Sequence, residues 1–224
     1  MSDAKQFAAI FEGLKLAYGT YRIDRQQNNG KNTGKATVVK APRTDEMWEN
    51  HLSGKGDALG IIPINEENKV TWGCIDVDTY PLDHTELIQK IRRMKLPLVV
   101  CRSKSGGAHC FLFVDQWVAA KEMQEVLQHV AAALGYGDCE IFPKQIKLFL
   151  ERGDVGNFLN LPFYDAEEGL RYAIKDDGSS ATLQEFFKLH QTHVQTPEQL
   201  LALTIEDDPS VPIKDGPPCL QTLC

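Results

Sequence analysis

Apolar residues recur along this chain first at helical and then at strand spacing. In residues 3–17, Phe7, Ile10, Phe11 and Leu14 fall on one side of a helix that Asp3 can cap. Tyr18 to Ile23 reads as a short strand, and the polar stretch 24–35, with its Asn-Asn-Gly and Thr-Gly pairs, as a mobile loop between strands. A helix starting at Thr44 carries Met47, Trp48 and Leu52, and the apolar run 58–64 is short enough for a buried strand. A strand over 70–78 precedes an amphipathic helix over 83–95, with Leu87, Ile88, Ile91 and Met94 on one side. Another strand begins at Pro97 and runs into the turn SKSGGAH, which leads to a strand over 110–114. The pattern closes with a helix over 119–134 stopped by Gly135, a short strand at 139–142, and helices over 182–190 and 197–203.

Strands and helices alternate through the middle, but the tight return between Cys101 and Cys110 demands an antiparallel pair. The fold class expected is therefore α+β with a mixed sheet rather than a doubly wound parallel one. At 224 residues with 42% hydrophobic and 25% charged positions, the chain can bury a substantial core. Residues 1–205 are expected to form one domain. The acidic stretch 206–224, with Pro209, Pro212, Pro217 and Pro218, is expected to be a linker. The N-terminus lacks the basic-then-apolar layout of a secretory signal and no apolar run is long enough for a membrane span, so a cytoplasmic location is expected. Cys74, Cys101, Cys110 and Cys139 lie among apolar, strand-like residues without CxxC spacing. They and Cys219 and Cys224 read as reduced thiols.

Charge narrows the choice of partner. A net charge of −7 is incompatible with coating duplex DNA by bulk electrostatics, so nucleic-acid contact has to be local. Lys90, Arg92, Arg93, Lys95, Arg102 and Lys104 form a candidate basic patch, a solvated helix face being the plainer reading of its first part.

The GKNTGKA run suggests a phosphate-binding P-loop and fails as one, because the glycine spacing is short by a residue and Ala36 replaces the magnesium-binding hydroxyl. TWGCIDVDTY is more informative. A strand period of two sends Ile75 and Val77 to one face and Asp76 and Asp78 to the other. Carboxylates placed side by side on rigid backbone can hold divalent ions about 3.5–4 Å apart. Asp-x-Asp alone is equally compatible with a solvated strand end. SKSGGAH adds Ser103, Lys104, Ser105 and Gly107, in which bare backbone N–H groups and an ammonium suit phosphate oxygens, and then His109. Glu140 is the candidate third acid, with Asp138 as the alternative two residues earlier. Lys144 and Gln145 follow with phosphate- and base-binding chemistry, and Asn157 and Asn160 are further nucleotide-binding candidates whose plainer role is local turn satisfaction.

The ordered set IDVD, SGGAH, EIFPKQ and GNFLNLPF resembles the catalytic core of the archaeo-eukaryotic primase superfamily, in particular the primase-polymerases of phages, plasmids and related mobile or defence systems. The resemblance spans about residues 18–172. It implies a primase fold in which an RRM-like sheet bears the metal acids and packs against an N-terminal α/β unit. It also implies a DNA primase or polymerase transferring nucleotides from nucleoside triphosphates to a 3′-hydroxyl on a single-stranded DNA template with primer, using two Mg2+ or Mn2+ ions. On this resemblance Asp76 and Asp78 match the metal acids of the first motif and His109 the nucleotide-binding histidine of the second. Glu140 falls where the third acid belongs, a position at which many members carry Asp. The tail resembles the start of a segment leading to a C-terminal helical or helicase domain. Two other classes fit parts of the pattern: a metal-dependent nucleotide-sugar transferase, and a replication-initiator module that binds DNA without turnover.

Overall fold

A computed structural model describes residues 1–23 and 34–205. Most of the anticipated loop 24–35 and the whole of the anticipated linker 206–224, with Cys219 and Cys224, lie outside the described residues.

The first helix, α1 (Asp3–Ile10), is capped by Ser2, whose side chain accepts from Lys5 N, and not by Asp3, which occupies the first turn. It is also shorter than its apolar spacing predicts. Leu14 N donates to Ile62 O at 2.9 Å, and a Cβ on Gly13 would stand 2.1 Å from that same carbonyl oxygen. Close packing against the backbone at Ile62 therefore ends the helix, although Phe11 and Leu14 remain buried as their spacing requires. The strands β1 (Tyr18–Ile23) and β2 (Gly34–Val39), the helix α2 (Asp45–Leu52) and the strand β3 (Ala58–Ile61) complete the N-terminal unit. His51 holds it together: its Nδ1 accepts from Leu59 N at 2.9 Å and its Nε2 donates to Pro162 O at 2.8 Å.

The middle of the chain runs β4 (Lys69–Val77), α3 (His84–Arg93), β5 (Val99–Arg102), β6 (Ala108–Ala119), α4 (Ala120–Leu134) and β7 (Glu140–Phe142). Asp83 caps α3 by accepting from Thr85 N and Glu86 N, and Gly135 ends α4 at φ +84°, where a side chain would be strained. After a single turn at Leu150–Arg152 come the two-residue strands β8 (Leu159–Asn160), β9 (Ala173–Ile174) and β10 (Ser180–Ala181), then α5 (Leu183–His193) and α6 (Pro197–Leu201). The sheets have the orders β2-β1-β3-β8 and β10-β9-β5-β6-β4-β7, and every strand pairing in them is antiparallel. The segment β4-α3-β5-β6-α4-β7 has the βαββαβ order of an RRM-like unit, so the α+β expectation holds.

Both faces of the six-stranded sheet are covered. Ile75, Val77, Cys110 and Leu112 pack with Leu87, Ile88 and Ile91 of α3 and Met123, Leu127 and Val130 of α4. Trp72, Cys74, Phe111 and Phe113 pack on the opposite side with Phe7 and Phe11 of α1, Phe186 of α5 and Leu59 and Ile61 of the smaller sheet. An irregularity in pairing between Val70 and Trp72 moves the chain from one layer to the other. The described cysteines are free, with Cys74, Cys101 and Cys110 fully buried as small apolar groups.

Phe11 sits at the centre of the second layer, its ring 4.9 Å from Phe7, 5.5 Å from Trp72, 5.3 Å from Phe111 and stacked 6.0 Å from Phe186. Phe11→Ala is expected to cost about 3–5 kcal/mol, read as a lower urea midpoint at unchanged slope.

Candidate active site

The strand register assembles the site. Asp76 is paired directly with His109 on β6 and with Glu140 on β7, so three adjacent strands present their side chains in one row. This row lies on the face of Trp72, Cys74 and Phe111, under the edge of the smaller sheet. Asp78 follows the last residue of β4, and its Oδ1 accepts from the Tyr80 hydroxyl at 2.8 Å. That hydroxyl is 2.6 Å from Ser105 Oγ, and Ser105 Oγ is 3.3 Å from Ser103 Oγ, so the acid and the serine turn are joined.

The turn is tight. Ser103 N donates to Gly107 O at 2.9 Å, Gly106 N donates to Ser103 O at 3.1 Å, and Gly106 takes φ +94°. A Cβ on Gly107 would lie 2.3 Å from Val77 O and 3.3 Å from both Asp78 Oδ1 and Ser103 Oγ, so only glycine lets the turn close on the acids. His84 Nε2, 3.0 Å from Gly107 O, holds the turn from α3.

Electrostatics single out Asp76. Burial first, then the negative charges of Asp78 and Glu140, push its carboxyl up to about 7. Its Oδ1 is buried without a hydrogen-bond partner among the described residues; His109 Nε2 approaches only to 3.4 Å. His109 in turn is pushed down to about 3 by burial, reinforced by the positive charges of Arg171 and Lys104. The contact therefore joins a neutral imidazole to a carboxyl that gives up its proton reluctantly, and is not an ion pair at neutral pH.

A cleft of about 350 Å3 opens on this row, lined by Asp76, Asp78, Ser103, Lys104, Ser105, His109, Glu140, Lys144, Asn157 and Asn160 among others. Gly107 shapes it from behind, as its close contacts show. Asp138 precedes β7, is exposed and does not line the cleft, whereas Glu140 does. Glu140 is paired with Lys144 at 2.6 Å. Asn157 is tied to Gln145 through both its backbone N–H and its side-chain oxygen, while Asn160 Oδ1 is buried without a partner among the described residues. Among the described residues no three His, Cys, Asp or Glu side chains already converge on one point as a closed metal cage. The donors nevertheless suit a hard divalent cation: carboxylate oxygens from Asp76 and Asp78, one of them unpartnered and destabilised by its neighbours' charge.

The anticipated basic patch is largely used within the fold. Lys90 donates to Leu134 O, Arg92 pairs with Asp176 at 2.7 Å, and Arg102 donates to Leu170 O. Only Lys104 of that set lines the cleft, with its Nζ 3.5 Å over the ring of Tyr21.

Sequence reading missed Tyr80, Tyr21 and Arg171. Arg171 is buried, its Nη1 has no hydrogen-bond partner among the described residues, and its guanidinium lies 5.8 Å from the same Tyr21 ring. The backbone pairing of Arg102 N with Tyr172 O at 2.8 Å brings Arg171 alongside Ser103. The available signal was a lone arginine entering the apolar Tyr-Ala-Ile run of β9.

Residues 15–193 match the archaeo-eukaryotic primase domain of the TOTE conflict system. Among curated proteins none matches the chain. The primase-polymerase domain of cyanophage S-2L is similar at 10% identity and TM-score 0.46, over 84% of this chain and 96% of that one. The catalytic domain of the primase RepB′, solved with initiator DNA, is similar at 12% identity and TM-score 0.40, over 85% of this chain and 93% of that one. The family match spans most of the chain and includes every residue of the row, the serine turn and the cleft, and on it the chain belongs to the archaeo-eukaryotic primase domains of TOTE conflict systems.

Proposed function

We propose that this chain is a DNA primase-polymerase, joining a nucleoside triphosphate to a 3′-hydroxyl on a DNA template with release of pyrophosphate. The observation that carries the reading is the paired row Glu140, Asp76 and His109 lining a cleft that Lys104 and Lys144 also line, with Asp76 Oδ1 unpartnered among the described residues. Acids and cations lining one cleft suit a metal-bound triphosphate. Asp76 and Asp78, with Glu140 as third acid, would hold two Mg2+ or Mn2+ ions, which when bound lower the pKa of the attacking hydroxyl and neutralise charge on the α-phosphate.

The chain's own residues do the positioning. His109, pushed down to about 3 by burial, is neutral in the free site and can donate an N–H to a phosphate oxygen. Ser103, Ser105, the backbone beside Gly107, Lys104 and Lys144 suit the remaining phosphate oxygens, and Arg171, whose positive charge also acts on His109, has a guanidinium nitrogen, Nη1, without an acceptor among the described residues. Asn160 Oδ1, also without a partner among the described residues, suits a sugar hydroxyl or a base N–H.

Primer extension with labelled nucleotide in Mg2+ or Mn2+ tests the assignment. Asp76→Asn and Asp78→Asn are each expected to lower incorporation by about a hundredfold or more while far-UV circular dichroism stays unchanged. Wild-type rates from either would refute it. A wild-type chain that binds DNA in chelator and incorporates nothing would instead be an initiator module.

His109→Ala and Arg171→Ala are expected to raise the apparent KM for nucleotide by roughly tenfold, with a smaller effect on kcat. An unchanged KM in either variant would remove that residue from the nucleotide site.

Asp76 also makes a stability prediction independent of turnover. Its carboxyl holds a proton up to about pH 7 when folded and releases it near 3.8 when unfolded, so the metal-free protein loses stability as pH rises between those values. Asp76→Asn lacks this liability. Its melting temperature is expected to match wild type near pH 4 and to exceed it by several degrees above about pH 7, on the order of 2 kcal/mol. Added Mg2+ or Mn2+ is expected to raise the wild-type melting temperature and leave the variant's nearly unmoved. The same pH profile for both proteins in thermal melts would contradict the burial argument.

A further inference from the structure

Since the net charge is −7 and Lys90, Arg92 and Arg102 are committed inside the fold, cations left facing solvent near the cleft are informative. They lie on the segment that follows β7. Lys144 lines the cleft, and Gln145 is bonded to Asn157, which lines it too. Immediately beyond, Ile146 and Phe149 stand among the exposed large apolar residues, at 44% and 37% exposure. Lys147 Nζ lies 5.2 Å and Arg152 Cζ 5.0 Å from the centre of the Phe149 ring. Neither cation has a carboxylate partner among the described residues. The nearby Asp154 is turned to cap Gly156 N at 3.0 Å. From the smaller sheet, Lys40 at the end of β2 reaches across to donate to Gly153 O at 2.8 Å, which brings a further ammonium to the same rim.

A partly exposed aromatic ring flanked by cations, in an otherwise acidic protein, fits a ligand made of flat apolar rings joined by anions. We propose that Phe149, Lys147, Arg152 and Lys40 form a platform for single-stranded nucleic acid beside the cleft: a base stacks on the Phe149 ring together with the Arg152 guanidinium that lies over it, and neighbouring phosphates meet the cations. Duplex DNA fits less well, because its stacked bases leave no face for the ring and its charge density calls for more cations than this rim offers. An acidic peptide would satisfy the charges and leave the ring without a flat partner. Calling the strand a template rests on the polymerase reading, whereas the binding site itself does not.

The test uses the full chain in chelator with a fluorescently labelled oligothymidylate, followed by anisotropy. Phe149→Ala is expected to weaken binding roughly tenfold and to erase the preference for a base-bearing strand over an abasic one. Lys147→Ala with Arg152→Ala is expected to weaken binding further and to flatten the slope of log affinity against log salt by about 1.4. Asp76→Asn is expected to bind the strand as wild type does while failing in primer extension. Affinities within about twofold of wild type for the platform variants, or equal displacement by polyglutamate, would overturn the proposal. The two failures are separable. Loss of binding in the platform variants with no incorporation by wild type leaves the platform standing and the polymerase reading fallen, and unaffected binding with active wild type does the reverse.

Discussion

The arrangement of the site depends on the burial of one carboxyl in a strand packed on both faces. At Asp76, β4 has α3 and α4 behind it and the aromatic layer of Phe11, Trp72 and Phe111 on its own side, so water cannot solvate an ionised side chain fully. Asp78 and Glu140 add like charge and raise its pKa further. The rest of the cleft is the complement of that strain. The imidazole alongside is kept neutral by burial and by the nearby charges of Arg171 and Lys104, and Lys104 and Lys144 line the same cleft. Buried atoms without a partner among the described residues, Asp76 Oδ1, Asn160 Oδ1 and Arg171 Nη1, each cost about 1–3 kcal/mol and persist because the core over-determines their positions.

Much of this was legible because strand periodicity is local. Alternation in TWGCIDV placed Asp76 opposite Ile75 and Val77, and the tight turn before His109 brought β6 back beside β5, while the pairing of β6 with β4 is made across α3 and β5. The bounds of α3 and α4 were close for a similar reason, since Asp83 and Gly135 are caps whose chemistry is written in the residues themselves. What escaped is set by tertiary contact. The first helix stops at Ile10 because Gly13 meets a distant carbonyl, and β8, β9 and β10 are too short to carry a period. Arg171 reaches the site only through pairing of its segment with Arg102, which no spacing in the chain records. The basic run 90–104 misled for the opposite reason: its charges are near one another in sequence, yet several are consumed by carbonyls and an aspartate elsewhere in the fold.

The stretch GNFLNLPF illustrates how structural and chemical duties share one segment. Phe158 lodges over Gly19 of β1 and Gly60 of β3, where a Cβ would stand 2.1 Å and 2.3 Å from its ring. Those glycines leave room for the aromatic wedge, and β8 then pairs Asn160 with Gly60. The wedge fixes the smaller sheet against the cleft, so Asn157 and Asn160 are presented from anchored backbone.

Rigidity is unevenly distributed around the cleft, and this bears on what each wall can do. Asp76, His109 and Glu140 are on paired strands and cannot separate without breaking the sheet. Asp78, Tyr80 and Ser105 lie beyond strand ends and are joined only by side-chain hydrogen bonds. The row is therefore fixed by the sheet, whereas side chains on the turns can exchange partners, with Gly107 allowing the turn to approach Asp78 without a side chain between them. Lys144 belongs to the exchanging group as well: its ion pair with Glu140 joins two side chains of which Glu140 is well exposed, so the contact is weakly held and open to competition from a more strongly charged anion.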